Sequence, residues 1–282
     1  MLRPLGLLLA LCVSVLLAGC SLLEGALDLP SDPNAAVVRI EYQGGLIIPQ
    51  GAFQQLPLVA VYADGRVLQP GPVAAIYPGP LLPRLNEQRI GRVSIARLLE
   101  AARAAGLTTS DVSYPAQMVA DVPDTVITIR TGERTVTSRF GALGIETGER
   151  GTAAERAARA AASTFVAQAT DLPSLLGADA VSDAGSYAPS ALRVMVLPGI
   201  PQPSDPGLAR PAVSWPLSTP LATFGAHLEH YPQNYRCGVV GGADLATLLP
   251  VLEQATTLTG FSSGGETYLV FPRPLLPDES GC

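Results

Sequence analysis

A serine set between glycines is the closest match to a catalytic motif in this sequence. Gly260-Phe261-Ser262-Ser263-Gly264 fits the G-x-S-x-G pattern of a nucleophile elbow, in which a serine on a sharp turn attacks an acyl group. That elbow needs a strand before the serine and a helix after it, whereas the pattern around Ser262 predicts a helix before it and a strand after it. We therefore expect a Gly/Ser turn, and a serine hydrolase is the weaker alternative.

The two histidines of the chain, His227 and His230, lie close together with Glu229 between them. On a helix they would share a face and could bind a metal ion, but a third ligand would have to come from elsewhere, and Pro232 interrupts the segment. They are also the side chains whose ordinary pKa lies near neutrality, so a Ser/His/Asp triad would need one of them. We expect a partly exposed loop, and we assign no catalytic residue, metal ligand or cofactor.

The amino-terminal segment indicates a different chemistry, the attachment of lipid. Arg3 precedes an apolar run from Leu5 to Leu17 that has the length of a signal-peptide core. The next residues, Ala18-Gly19-Cys20, complete a pattern that resembles the bacterial lipobox, in which the cysteine is lipidated, the leader is removed and the new terminus is acylated. The resemblance implies a signal peptide over residues 1–19, lipid on Cys20 and a tether over residues 20–36. An uncleaved membrane helix is the alternative.

Either form of the amino-terminal segment attaches the protein to the cell membrane and places the remaining chain on its outer face. The leader would remove Cys12 and the lipid would occupy Cys20, so Cys237 and Cys282 remain from the 4 cysteines. An even pair outside the cell favours a disulfide, which would stabilise the fold by about 4 kcal/mol through loop-closure entropy. A metal pair or a redox centre is the alternative, although the two thiols do not form a Cys-x-x-Cys arrangement.

Composition and charge bear on the class of partner. The chain has 282 residues, of which 48% are hydrophobic, so it is long enough to bury substantial cores. The net charge is −6, and the basic residues are scattered between acids. Because binding to phosphate backbones requires clustered basic residues, nucleic acid is not an expected partner. Besides the membrane, we expect an envelope protein or a glycan.

Residues 37–177 are predicted to form an α+β domain, because β-rich runs and hairpin turns alternate with amphipathic helices. The first helix is marked by Ser94 as its N-cap and Gly106 at its carboxyl end. Thr152 and Glu155 fit a capping box that opens the second helix. The predicted strands are one at Val37 to Tyr42, a hairpin about Asp64-Gly65 and a hairpin about Thr131-Gly132-Glu133.

Small, polar and acidic residues at 178–190 predict a linker to a second α+β domain at 191–282. The fold class is therefore two small α+β domains, each with a sheet covered by helices. Two Pro-rich loops, at Tyr77-Pro78 and Trp215-Pro216, could be recognition surfaces or ordered coil packed on the sheets. The elements predicted for the second domain are a strand at Leu192 to Leu197, a helix at Ala243 to Ala255 and a strand at Thr267 to Phe271.

Several segments suggest a family. Tyr42-Gln43-Gly44-Gly45 and Arg273-Pro274-Leu275-Leu276-Pro277-Asp278-Glu279 resemble a group of uncharacterised actinobacterial secreted lipoproteins. The order of elements over residues 37 to about 170 is similar to emfourin-like inhibitors of thermolysin-type metalloproteases. That similarity implies that Gly44 and Gly45 form an inhibitor-like loop, although Leu46 follows them where those inhibitors tend to carry Phe. The expected function is a non-catalytic binding or accessory module, with protease inhibition as the alternative.

Overall fold

The computed structural model describes residues 28–116, 119–145, 151–229, 231 and 234–282. Cys20, the predicted signal peptide and the first part of the tether lie outside the described residues, as does His230. The described part has two mixed sheets and five helices, which confirms the α+β fold class. The helices are α1 (Pro49–Gln54), α2 (Arg92–Ala104), α3 (Ala153–Thr170), α4 (Leu172–Leu176) and α5 (Gly242–Gln254).

Eight strands form the first sheet: β1 (Ala36–Gln43), β2 (Val59–Tyr62), β3 (Arg66–Pro70), β4 (Leu85–Arg89), β5 (Val112–Tyr114), β6 (Asp124–Thr131), β7 (Arg134–Gly141) and β8 (Gly185–Ser186). Their order across the sheet is β5-β7-β6-β1-β2-β3-β4-β8. Neighbours are antiparallel except for β5 and β7, which are parallel. The strand β1 and both hairpins confirm the predicted pattern of this region.

One face of the first sheet is covered by α2, α3 and α4. Because side chains alternate along a strand, Val38 and Ile40 of β1 point into this layer, where they pack in one cluster with Leu98 and Phe165 from the helices. Thr152 caps α3 as predicted, since its side chain accepts a hydrogen bond from the amide of Glu155. The helices therefore bury the apolar stripe that the sequence indicated.

The predicted N-cap of α2 is wrong. The helix begins at Arg92 with Gly91 as its N-cap, and Ser94 lies buried within the first turn. The backbone of Gly91 is extended, and its carbonyl accepts hydrogen bonds from the amides of Ser94 and Ile95, at 2.9 and 3.1 Å. The first turn is thus closed by backbone alone, without a capping side chain.

Six strands form the second sheet: β9 (Ala191–Pro198), β10 (Val213–Ser214), β11 (Ala226–His227), β12 (Arg236–Gly241), β13 (Phe261–Ser263) and β14 (Glu266–Pro274). Their order is β10-β13-β14-β9-β12-β11, antiparallel except for β10 and β13. Leu248 and Leu252 of α5 pack on Leu192 and Val194 of β9. The intervening residue, Arg193, belongs to the opposite face.

Residues 178–190, predicted as a linker, are partly built into the first sheet. β8 pairs with β4 as an edge strand, and Val181 forms a bridge with Ile90. The segment is therefore attached to the sheet edge along part of its length. The domain boundaries at 37–177 and 191–282 stay a prediction.

Each half of the chain contributes a segment to the core of the other. Leu276, after the last strand of the second sheet, packs with Tyr62 and Leu68 of the first sheet. Phe53 of α1 packs in return with Met195 and Cys237 of the second sheet. The two sheets are thus connected through the faces that their helices leave uncovered.

The predicted disulfide is present. Cys237 of β12 is bonded to Cys282, with Cα atoms 6.1 Å apart and a sequence separation of 45. Cys237 is buried beside Phe53 and Met195, so the bridge fixes the segment after β14 close to the contact between the two sheets. The predicted pairing of Cys237 with Cys282 is thus confirmed.

Candidate functional site

A polar cleft of about 380 Å³ lies where the two sheets meet. Arg39, Glu41 and Gln43 line it from β1, and they lie on the face opposite to Val38 and Ile40 because strand side chains alternate. Arg193 of β9 and Arg273 of β14 line it from the second sheet. The cleft therefore brings together guanidinium groups from three strands of two different sheets.

Glu279 and Asp278 together form ion pairs with two of the three arginines. The side chain of Arg273 is only 4% exposed, and it donates two hydrogen bonds to the Glu279 carboxylate and one, of 2.8 Å, to the carbonyl of Gln55. Arg39 donates to Glu279 Oε1 at 3.1 Å and to Asp278 Oδ1 at 2.9 Å. Bidentate pairing of this kind fixes geometry as well as charge, so the segment after β14 is held in one position.

The ionisation of these groups reflects that network. Burial alone would raise the pKa of Glu279, but the hydrogen bonds and charge of Arg273, with the Leu276 amide and Arg39, lower it to about 2. Burial would lower the pKa of Arg39, but the charges of Asp278 and Glu279 raise it above its ordinary value. Burial and the neighbouring Asp278 carboxylate, to which the Tyr62 hydroxyl donates at 3.0 Å, raise the pKa of Tyr62.

Arg193 differs from the other two arginines of the cleft. It lies directly opposite Arg273 in the register of β9 and β14, and it forms no salt bridge with a carboxylate of the described residues. Its Nη2 donates to the carbonyl of Phe53 at 2.7 Å, and its guanidinium carbon lies 4.7 Å from the centre of the Phe53 ring. Burial, followed by the positive charge of Arg273, lowers its pKa to about 10.

The loop between β1 and α1 forms a rim of the cleft. Gly44 and Ala52 both line the cleft, so the segment between them leaves the surface and returns to it at the same edge. The side chains of Leu46 and Ile48 are 84% and 69% exposed. Residues 45–48, which we call the rim loop, therefore place apolar side chains in solvent beside a polar cleft.

The shape of the rim loop depends on its glycines. Gly45 has φ +79°, and a Cβ atom there would lie 2.9 Å from the backbone nitrogen of Pro123. Glycine is thus required both by the left-handed backbone and by the close approach of a neighbouring loop. The amide of Leu46 donates a hydrogen bond to the carbonyl of Asp121 at 3.1 Å, which fixes the rim loop to that neighbouring loop. Gly44 and Gly45 are therefore loop formers, while an inhibitory role for that loop stays a prediction.

The serine and histidine candidates do not come together in a catalytic arrangement. Ser262 lies in β13, its hydroxyl is 3.4 Å from the carbonyl of Val213, and the hairpin turn that follows at Gly264 leads into β14 rather than into a helix. His227 lies in β11 with Nε2 3.0 Å from Arg236 Nη1. Across the described ranges, no three His, Cys, Asp or Glu residues are grouped as metal ligands would be.

The two Pro-rich loops have different environments. Trp215 is buried, and its ring packs edge-on against Phe224 and Phe261 at 5.9 Å, so this loop is coil packed on the second sheet. Ile76 and Tyr77 are exposed by contrast. The first loop thus keeps an aromatic side chain at the surface.

Sequence reasoning did not identify Arg39, Arg193, Arg273 and Glu279 as a group. The signal that was available is an arginine inside an otherwise apolar strand, as in Leu192-Arg193-Val194-Met195-Val196, because a charge is rarely placed in such a strand without a partner. Arg39 meets Glu279 across 240 residues, and Arg193 meets Arg273 only through the pairing of β9 with β14. No local pattern contains that information.

Comparisons with protein-family models, with curated proteins and with solved structures each gave no match. Of the helices in the described ranges, none is both long enough and apolar enough to cross a bilayer. The geometry of the cleft is therefore the observation that bears on function.

Proposed function

We propose that this chain is an envelope lipoprotein, held on the outer face of the cell membrane by lipid on Cys20, that acts as a non-catalytic binding module. Its binding surface is the cleft between the two sheets together with the rim loop. The observation that carries the proposal is the unpaired guanidinium of Arg193 in a cleft whose edge exposes Leu46 and Ile48.

This combination favours recognition of a partner. Exposed aliphatic side chains at a loop tip lose hydration when a partner covers them, which contributes roughly 25 cal/mol per Å² of apolar surface. A cation that is already largely desolvated binds an opposite charge at a smaller additional desolvation cost than a fully hydrated one. Because apolar and charged groups are adjacent, an envelope protein is a better match than a glycan.

The proposal can be tested by photo-crosslinking in cells that produce the full chain. Benzoylphenylalanine at Leu46 should give discrete crosslinked species, because this position lies on the binding surface. The matched control is Val93, which is 65% exposed on α2 on the helical side of the first sheet. Identical adducts from both positions, or none from Leu46, would contradict the proposal.

Inhibition of a protease is the second candidate, and the geometry of the rim loop supports it. Gly44 and Gly45 both have positive φ, and the side chain that follows them is almost fully exposed, as a loop inserted into an active-site cleft requires. Titration of a thermolysin-type enzyme with the protein should then lower its activity, and Leu46→Asp should remove the effect. An unchanged rate at high molar excess would eliminate this candidate.

A further inference from the structure

We infer that Arg193 binds a single carboxylate group of a peptide partner, one that lies next to an apolar side chain. This inference rests on the proposed function, because it assigns a ligand chemistry to the same cleft. It is carried by the position of one guanidinium group, by the charges around it and by the rim loop beside it.

The guanidinium of Arg193 has unused hydrogen-bonding capacity. Its Nη2 donates to Phe53, and its Nε is buried with no acceptor among the described residues. Its Nη1 also has no acceptor among the described residues, but unlike Nε it is not fully buried. Nη1 is therefore the atom that a ligand in the cleft can reach, while the ring of Phe53 and the Phe53 carbonyl hold the group in place.

The carboxylates of the cleft already form ion pairs with Arg39 and Arg273, and they could pair with Arg193 only by breaking those contacts. Glu279 is bound by Arg273 and Arg39, and Glu41 lies 3.6 Å from Arg39 and accepts a hydrogen bond from Gln43. Arg193 lies opposite Arg273 across the strand pair, and Glu279, which offsets the charge of Arg273, forms no salt bridge with Arg193. An anion from outside the chain would give Arg193 the direct ion pair that it lacks among the described residues.

The number of charges favours a carboxylate over a phosphate. The three arginines are matched in number by Glu41, Asp278 and Glu279, so the cleft has no excess of positive charge, and a monoanion adds the least negative charge that can pair with Arg193. A dianionic phosphate would bring a second negative charge towards Glu41 and Glu279, which line the same cleft. Repulsion from these carboxylates should therefore weaken phosphate binding relative to carboxylate binding.

The rim loop indicates what the carboxylate is attached to. Arg193 contacts the carbonyl of Phe53 in α1, and that helix begins at Pro49, directly after the exposed Ile48. A ligand whose carboxylate reaches Arg193 therefore passes the apolar rim within a few residues. A peptide that carries an apolar side chain beside a carboxylate combines both features, which a sugar acid does not.

The test is an NMR titration of the full chain labelled with ¹⁵N-arginine, with N-acetyl-leucine as the probe. The Arg193 Nε–Hε resonance, assigned by its absence in Arg193→Gln, should shift in a saturable manner. N-acetyl-leucinamide, which lacks the charge, should leave it unchanged, and inorganic phosphate should shift it at least several-fold less at equal concentration. No shift with N-acetyl-leucine, or an equal shift with the amide or with phosphate, would overturn the inference.

Two further measurements separate this inference from the proposed function. Arg193→Gln should at least halve the Leu46 crosslink, whereas Arg103→Gln, an exposed arginine on α2, should not change it. A Leu46 crosslink that is unaffected by Arg193→Gln would overturn the carboxylate inference, but it would still support the proposed binding surface. Should Arg193→Gln not fold, the comparison of N-acetyl-leucine with its amide on the wild-type protein, using Arg193→Lys for assignment, decides the question.

Discussion

Replacement of Glu279 by glutamine tests whether the segment after β14 holds the two sheets together through charge. The pKa of this carboxyl falls from 4.5 to about 2, and each pKa unit corresponds to about 1.4 kcal/mol between the charged and neutral forms. The difference is about 3 kcal/mol, and solvent screening of a side chain that is 18% exposed reduces it to about 2 kcal/mol. Glu279→Gln should lower the free energy of unfolding at pH 7 by that amount, because the buried Arg273 loses its counter-charge.

The stability lost in Glu279→Gln should change with pH in a defined direction. A carboxyl whose pKa is lower in the folded state stabilises the protein above the unfolded pKa and loses that contribution as pH falls through the folded pKa. The difference between wild type and Glu279→Gln should therefore be full above about pH 4.5 and should shrink towards pH 2. Urea denaturation followed by the fluorescence of Trp215, the single tryptophan of the chain, measures both.

Glu100→Gln is the matched control. Glu100 also receives two hydrogen bonds from one arginine, Arg103, but this pair is exposed on the surface of α2. Its loss should leave the midpoint of denaturation unchanged within error, because exposed ion pairs contribute little. The reasoning is refuted if Glu279→Gln behaves like Glu100→Gln, or if its effect is the same at pH 2 as at pH 7.

Three further changes have defined outcomes. Cys282→Ser should cost about 4 kcal/mol of unfolding free energy in urea under oxidising conditions, and an equal stability of variant and oxidised wild type would contradict it. Thr152→Ala removes the cap of α3 and should cost about 1 kcal/mol, whereas Thr164→Ala, whose hydroxyl bonds only within the helix, should cost less. Cys20→Ala should abolish incorporation of labelled palmitate, and continued labelling would exclude this residue as the lipid site.

Five strands of the first sheet, β1, β2, β3, β6 and β7, were predictable because their signals are local. Alternation, the turns at Gly65 and Gly132 and the cap at Thr152 each depend on a few neighbouring residues, and the structure has all of them. The strands β4, β5 and β8 of the first sheet were not predicted, nor were β10 to β13 of the second. Of these, β8, β10 and β11 have only two residues, which carry no period. The cap of α2 was misassigned because an extended Gly91 can close a turn without a side chain.

The cleft could not be predicted in the same way. Its charges come from β1, β9, β14 and the segment that follows, and an arginine in an apolar strand indicates that a partner exists without identifying it. Only the pairing of β9 with β14 places Arg193 opposite Arg273. The disulfide could be predicted because that expectation was based on the number of cysteines and on their compartment, and it needed no knowledge of their spatial arrangement.

The ion pair between Arg39 and Glu279 joins residues that are 240 positions apart. At a synthesis rate of 5 to 20 residues per second, Arg39 leaves the ribosome roughly 10 to 50 s before its partner. The strands of the first sheet all lie within residues 36–186, so this sheet can assemble while its contact with Leu276 is still missing. Because the cleft contains groups from both ends of that interval, it is complete only after synthesis has passed Glu279.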